Sequence, residues 1–136
     1  MKKKYTVLLA DDDKVQTLML STLLRSKGYM VAAAYDATYA FMVAMKSPLD
    51  AIVLDIQMPG GTGMGVLERL RASSKTMQIP VIVLSQSTDA QTVAAVKALG
   101  ADEFLPKPVD VEQLLAALDR VLKGSGEPDT MPRRIG

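Results

Sequence analysis

Neither cysteine nor histidine occurs anywhere in the 136 residues. The first absence excludes a disulfide scaffold and a thiolate nucleophile, and fits a reducing compartment. The second excludes Ser-His-Asp and Cys-His catalysis, imidazole metal ligands and an internal phosphohistidine. An excess of one charge is missing too. The formal net charge of +1 offers no sequence-wide attraction to nucleic acid or to an anionic membrane, so electrostatic work must be local. The only basic run, Lys2, Lys3 and Lys4, reads as a solvated tail. No apolar stretch is long enough to span a bilayer, and acids interrupt "MKKKYTVLLADDD" too early for a secretion signal. A cytoplasmic protein, without contact to membrane or nucleic acid, is therefore expected. Any chemistry must run on carboxylates, hydroxyls, lysine and bound metal.

What is present is one domain's worth of chain with enough apolar content for a core. Apolar runs of strand length recur at residues 5–10, 30–34, 51–56, 81–85 and 103–105. They are nearly continuous rather than alternating, which suits strands covered on both faces of a parallel sheet. Segments with helical spacing lie between them. Val15, Leu18, Met19, Thr22 and Leu23 mark a first helix, starting at Lys14 behind the cap Asp13 and closed by Gly28. Residues 37–46, 64–72 and 90–98 read as three more helices. In "DVEQLLAALDRVL", Val111, Leu114, Leu115, Leu118 and Leu122 form the stripe of a fifth. Strand and helix alternate five times, and right-handed crossovers then give an α/β, doubly wound open parallel sheet with helices on both faces. Residues 124–136, "GSGEPDTMPRRIG", lose the periodicity and read as a tail or linker stub after a domain of residues 1–123.

The polar residues fall at informative places. In open α/β sheets, ligands bind at the carboxyl ends of the strands near the switch point of the strand order. Asp11 and Asp12 follow the first strand, Asp55 ends the third, Ser85 the fourth, and Lys107 follows the fifth. Each has a bland reading alone: a loop acid, a helix cap for Ser85, a solvated lysine. Asp55 is the hardest to dismiss, because an unpaired charge on a buried strand is costly. Adjacent carboxylates also repel, by about 4 kcal/mol at about 4 Å and an effective dielectric near 20. A divalent cation and Lys107 would neutralise them. Mg²⁺ takes oxygen ligands from a few carboxylates, waters and phosphate oxygens, so the group as a whole suits phosphoryl chemistry with one Asp as nucleophile.

With "LLADDD", "LDIQMPGGTG", "VIVLS" and "FLPKP" in this order, residues 5–122 resemble the receiver domain of two-component response regulators, with single-domain chemotaxis regulators as the shortest relatives. The resemblance implies a flavodoxin-like sheet of strand order 2-1-3-4-5. It implies that Asp55 accepts a phosphoryl group from a phosphohistidine of a sensor histidine kinase or histidine phosphotransfer protein. Mg²⁺ would be held by Asp12, Asp55 and the backbone carbonyl of Gln57, with Asp11 acting largely through water. Ser85 would donate to a phosphoryl oxygen, Lys107 would pair with the acyl phosphate, and Lys107-Pro108 would be cis. The implied switch draws Ser85 toward the phosphoryl group and turns Phe104 inward. It changes the face of the fourth helix, fifth strand and fifth helix, where an output protein would bind; a homodimer stays open. The chain is expected to be a signalling phosphoacceptor rather than an enzyme.

Some features depart from the family or tune it. Phe104 lacks the hydroxyl of the commoner Tyr. Gln86 stands where a small residue is usual, and its bulk is expected to screen the site and slow transfer. Gln57 and Ser87 occupy positions that tune phosphoryl lifetime. The nine Met residues are expected to fill the core for the most part. Three competing readings are weaker. A haloacid-dehalogenase-like phosphatase needs a D-x-D nucleophile motif on the first strand, followed by Thr or Val. A flavodoxin-like flavin carrier needs a hydroxyl-rich phosphate loop where the acids stand. A receiver-shaped interaction module independent of phosphorylation has no need of all five site residues.

Overall fold

The computed structural model describes residues 4–58 and 62–126, with the side chains of residues 124–126 excepted. The elements follow the expected alternation: β1 (Thr6–Ala10), α1 (Lys14–Ser26), β2 (Met30–Ala34), α2 (Ala37–Lys46), β3 (Ala51–Asp55), α3 (Gly63–Ala72), β4 (Val81–Ser85), α4 (Ala90–Ala98), β5 (Glu103–Pro106) and α5 (Val111–Gly126). All strand pairs are parallel, in the order β2-β1-β3-β4-β5. The open parallel sheet inferred from the apolar runs, and the strand order implied by the resemblance, are those observed. α3 starts one residue earlier than expected, behind the Thr62 cap, whose hydroxyl accepts from the Gly65 N–H at 2.9 Å. α5 continues to Gly126, past the expected break at residue 124. Residues 127–136 of the expected tail lie outside the described residues, as do Pro59, Gly60 and Gly61 of the second motif.

The continuous apolar runs make sense once both faces of the sheet are seen to be covered. Leu8, Ala10, Ile52, Leu54, Val81 and Val83 pack with α2, α3 and Val96 of α4. Val7, Leu9, Val53, Ile82 and Leu84 point the other way, onto Leu20 and Leu24 of α1 and the Leu114, Leu118 and Val121 face of α5. Alternate residues of one strand thus serve two cores, and each fully buried Leu or Val contributes about 1.5–3 kcal/mol.

Two expectations about packing fail. The stripe that identified α1 is not its buried face: Val15, Leu18 and Met19 are 71%, 65% and 65% exposed, whereas Thr17, Leu20, Ser21 and Leu24 are buried. The apolar residues of α1 exceed what one side can bury, and the small polar side chains of Thr17 and Ser21 fit closest to the sheet. Among the described residues, the Met side chains are not mainly core filling either. Met58 is buried, but Met19, Met30, Met42 and Met77 are exposed, because the sheet is filled by compact branched residues. Among the described residues no helix is long and apolar enough to cross a membrane.

Candidate functional site

Strand order reverses around β1, which has β2 on one side and β3 on the other. The crevice beyond their carboxyl ends is where an open α/β sheet presents a ligand site. β1 delivers Asp11 into it. Asp11 is buried, and its Oδ1 accepts the Asp13 N–H at 2.9 Å. Asp13 itself caps α1, accepting from the Gln16 N–H at 3.0 Å, so the third acid has the structural role expected of it. The Thr17 hydroxyl donates to the Asp13 carbonyl at 2.8 Å and lies 3.4 Å from that of Asp11, tying the first turn of α1 under the acidic loop. Asp12 is exposed.

β3 delivers Asp55, 1% exposed, with its Oδ1 held by the Gln57 N–H at 2.9 Å. Gly63 brings the start of α3 against the end of β3: its N–H donates to the Ile56 carbonyl at 3.0 Å, and a Cβ there would sit 2.2 Å from the Ile56 Cα. β5 delivers Lys107. Its Nζ lies 3.0 Å from Asp55 Oδ2 and 3.1 Å from Asp11 Oδ2, and its N–H donates to the Ser85 carbonyl at 2.8 Å. Lys107-Pro108 is cis, as implied by the resemblance. Ser85 is fully buried at the end of β4, and its Oγ accepts the Ser87 N–H at 3.0 Å, leaving its own O–H available to donate. It does not cap α4; Asp89 does, accepting from the Thr92 N–H at 2.8 Å.

The five sequence-predicted residues therefore meet at one edge. Carboxylate oxygens of Asp11, Asp12 and Asp55 lie within 4.8 Å of one another. Burial pushes the Asp11 carboxyl above its ordinary range; the Asp13 N–H and Lys107 oppose this, and Asp55 adds to it. Burial pulls the Lys107 ammonium down, but its hydrogen bond to Asp55 and the nearby negative charge of Asp11 outweigh that and hold it above the usual lysine range. A charged lysine thus faces more negative charge than it can satisfy. Asp11 Oδ2 is buried and, although near Nζ, has no partner in hydrogen-bond geometry. An all-oxygen donor set with an orphaned carboxylate oxygen fits a hard divalent cation such as Mg²⁺.

Around this centre, Gln86 is exposed, and its N–H lies 3.5 Å from Oε1 of Gln57. A side chain from the β3 loop thus spans to the β4 loop. The Ser87 hydroxyl bonds Asp89 at 2.7 Å, and Lys14 stands 5.4 Å from the centre of the Tyr35 ring. Phe104 is half-buried against the α2, α3 and α4 side of the core. Sequence reasoning missed Thr17 and the Gln57 side chain. Thr17, four residues after the capping Asp13, carried a readable signal in that spacing; Gln57 carried none, since its reach depends on where the β4 loop lies.

The model of the response regulator receiver domain matches residues 7–119. Transcriptional regulatory protein CpxR of Escherichia coli (strain K12) is 35% identical over 120 residues, which are 88% of this chain and 50% of that protein. Chemotaxis response regulator CheY4 of Vibrio cholerae superposes with a TM-score of 0.83 at 34% identity, covering 88% of this chain and 100% of that one. The receiver domain of sensor histidine kinase PA1611 from Pseudomonas aeruginosa PAO1, with a magnesium ion coordinated in its active site cleft, superposes with a TM-score of 0.82 at 26% identity, over 89% of this chain and 99% of that one. The chain spans about half the length of the transcriptional regulators it matches. With its doubly wound sheet, its acidic crevice and this match over most of its length, the chain belongs to the response regulator receiver domain family.

Proposed function

We propose that this receiver accepts a phosphoryl group on Asp55 from a phosphohistidine of a sensor histidine kinase or histidine phosphotransfer protein. The observation that carries the reading is the buried Asp55 carboxylate, bonded to Lys107 at 3.0 Å beside two further acids. In the transfer, an Asp55 oxygen forms the new O–P bond as the P–N bond to the donor imidazole breaks, and the electron pair stays on the imidazole nitrogen. Lys107 passes from the carboxylate to the arriving phosphoryl oxygens, and the Ser85 O–H donates to another of them. The Gln57 N–H keeps the other Asp55 oxygen in place. Asp12, Asp55 and the Gln57 carbonyl directly, and Asp11 largely through water, would hold Mg²⁺, which when bound neutralises charge on the phosphoryl oxygens.

Ser85 is the group the phosphoryl draws inward. The β4 loop follows it, through the Ser87 N–H on Ser85 Oγ and the Ser87 contact to Asp89, to the start of α4. The output protein reads the change on the face of α4, β5 and α5, where Phe104 repacks. The phosphodonor approaches along α1, whose exposed Val15, Leu18 and Met19 lead from the acidic loop. The unit that does this is the receiver domain, whose α5 runs to Gly126; it is a signalling switch rather than an enzyme turning over a substrate. The test is incubation with acetyl phosphate and Mg²⁺ followed by intact-mass measurement. The chain gains one phosphoryl group and Asp55→Asn gains none. An unmodified wild-type chain, or an Asp55→Asn variant that still takes the group, overturns the proposal.

A further inference from the structure

At the end of the sheet opposite Asp55, where β1 and β2 begin, a cavity of about 550 Å³ opens between the segment before β1, the turn from α1 to β2, and the last turns of α5. Three exposed lysines line it, Lys4, Lys27 and Lys123, with Tyr5 and Tyr29. The one carboxylate of the lining, Asp119, lies 2.9 Å from Lys123. Lys4 and Lys27 make no ion pair among the described residues. Burial, with Asp119 next, pushes the Tyr29 hydroxyl above its ordinary range, so at neutral pH it keeps its proton and can donate.

The cavity is therefore rich in donors, and its one charged acceptor is engaged. Ammonium groups donate and never accept, so the complementary occupant is an acceptor-rich anion. Size and shape narrow the class. The volume lies in the range of organic-ligand pockets and exceeds what a lone oxyanion fills. Tyr5 and Tyr29 are packed against the α1 and α5 core, which fixes them as flat, partly apolar walls suited to a ring. Gly28 also lines the cavity; at φ +97°, it has no atom beyond its chain neighbours within 4 Å of where a Cβ would be, so that part of the wall is open.

We propose that this cavity binds a nucleoside phosphate, with the base against the tyrosine rings and the phosphate among Lys4, Lys27 and Lys123. The site is independent of phosphoryl acceptance at Asp55, since it lies at the other end of the strands. The last residue of the N-terminal lysine run, which no phosphoryl chemistry uses, would then have a role as a phosphate ligand.

The test is isothermal titration of the full chain at low salt, with a chelator present to keep divalent cations from the Asp55 site, using AMP, GMP, adenosine and inorganic phosphate. One nucleotide binds at one site per chain, and adenosine and phosphate each bind at least about tenfold more weakly. The Lys27→Ala, Lys123→Ala double variant loses about tenfold or more in affinity, Tyr29→Phe retains most of it, and Asp55→Asn matches wild type. Amide shifts of Gly28 and Tyr29 on addition of the nucleotide locate the contact. No heat with either nucleotide overturns the proposal. So does adenosine binding as tightly as AMP, affinity unchanged in the double lysine variant, or affinity lost in Asp55→Asn.

Discussion

Lys107 is the residue on which the crevice balances. Its side chain is 11% exposed and touches both Asp11 and Asp55, so its removal leaves buried carboxylates facing one another with no cation. Breaking a buried pair in this way costs about 3–5 kcal/mol, offset in part by proton uptake at Asp11, whose carboxyl already lies above its usual range. Lys107→Ala is expected to lower the urea midpoint strongly in Mg²⁺-free buffer. Excess Mg²⁺ should restore more stability to the variant than to wild type, since a ligand of the folded state stabilises it by mass action. Equal Mg²⁺ effects on the two proteins would argue against a shared cluster. Asp89 gives a pH prediction. The Thr92 N–H first, then the Ser87 hydroxyl, hold its carboxyl below the usual range. A depressed folded value means that the contribution is fully present above the unfolded pKa and is lost as pH falls through the folded one. The first turn of α4 should therefore loosen in acid, seen as a fall in the Thr92 amide protection factor once the pH dependence of intrinsic exchange is divided out. Asp89→Asn should remove that pH dependence while keeping a cap.

At the scale of elements, each connection does a different job. α3 starts so close to the β3 loop that Gly63 is the only residue type that fits: a Cβ would meet the Ile56 Cα at 2.2 Å and the Asp55 carbonyl oxygen at 2.5 Å. Gly63→Ala must push the backbone that orients Asp55 and Gln57. It is expected to cost about 1–3 kcal/mol, the range for overpacking, and to slow phosphoryl uptake from acetyl phosphate; a variant with wild-type stability and rate would contradict the close approach. The opposite end is fastened by Arg71 of α3. Its guanidinium donates to the carbonyls of Ile79 and Gly100 at 2.7 and 2.9 Å and pairs with Asp102 at 3.1 Å. It joins α3, the entry to β4 and the turn before β5. By contrast α4 has one buried residue, Val96, so it is the helix with least packing to oppose a shift.

For the whole molecule, the two cores share one sheet. Neighbouring residues of β1, β3 and β4 point to opposite layers, so loss of one layer exposes the strands that hold the other. Leu67→Ala on the α3 side and Leu118→Ala on the α5 side should each cost about 2–5 kcal/mol. Each should shift a single cooperative transition in far-UV circular dichroism, the ordinary behaviour of a small domain. A biphasic curve in either variant would show that the layers unfold separately. The molecule also differs at its two ends: acids crowd the crevice at the carboxyl edge of the sheet, and lysines and tyrosines line the cavity where β1 and β2 begin.

Most of the fold was legible because burial on two faces leaves a direct trace, the continuous apolar run, and because Asp13 and Gly28 bracket α1 in a way local backbone chemistry dictates. The site was legible as a set of strand-end residues: topology alone sends Asp11, Asp55, Ser85 and Lys107 to one edge. Other features were settled only in three dimensions. Which face of α1 packs was one, because apolar residues on that helix outnumber the places the sheet can cover. The reach of Gln57 to the β4 loop, the close approach at Gly63 and the Arg71 clasp were others, each depending on distances between segments far apart in the chain. Local pattern fixes what each segment can become and which polar groups it carries. The order of strands and the packing between layers decide which of those groups meet, because Coulomb and hydrogen-bond energies act over a few ångströms of space and take no account of sequence separation.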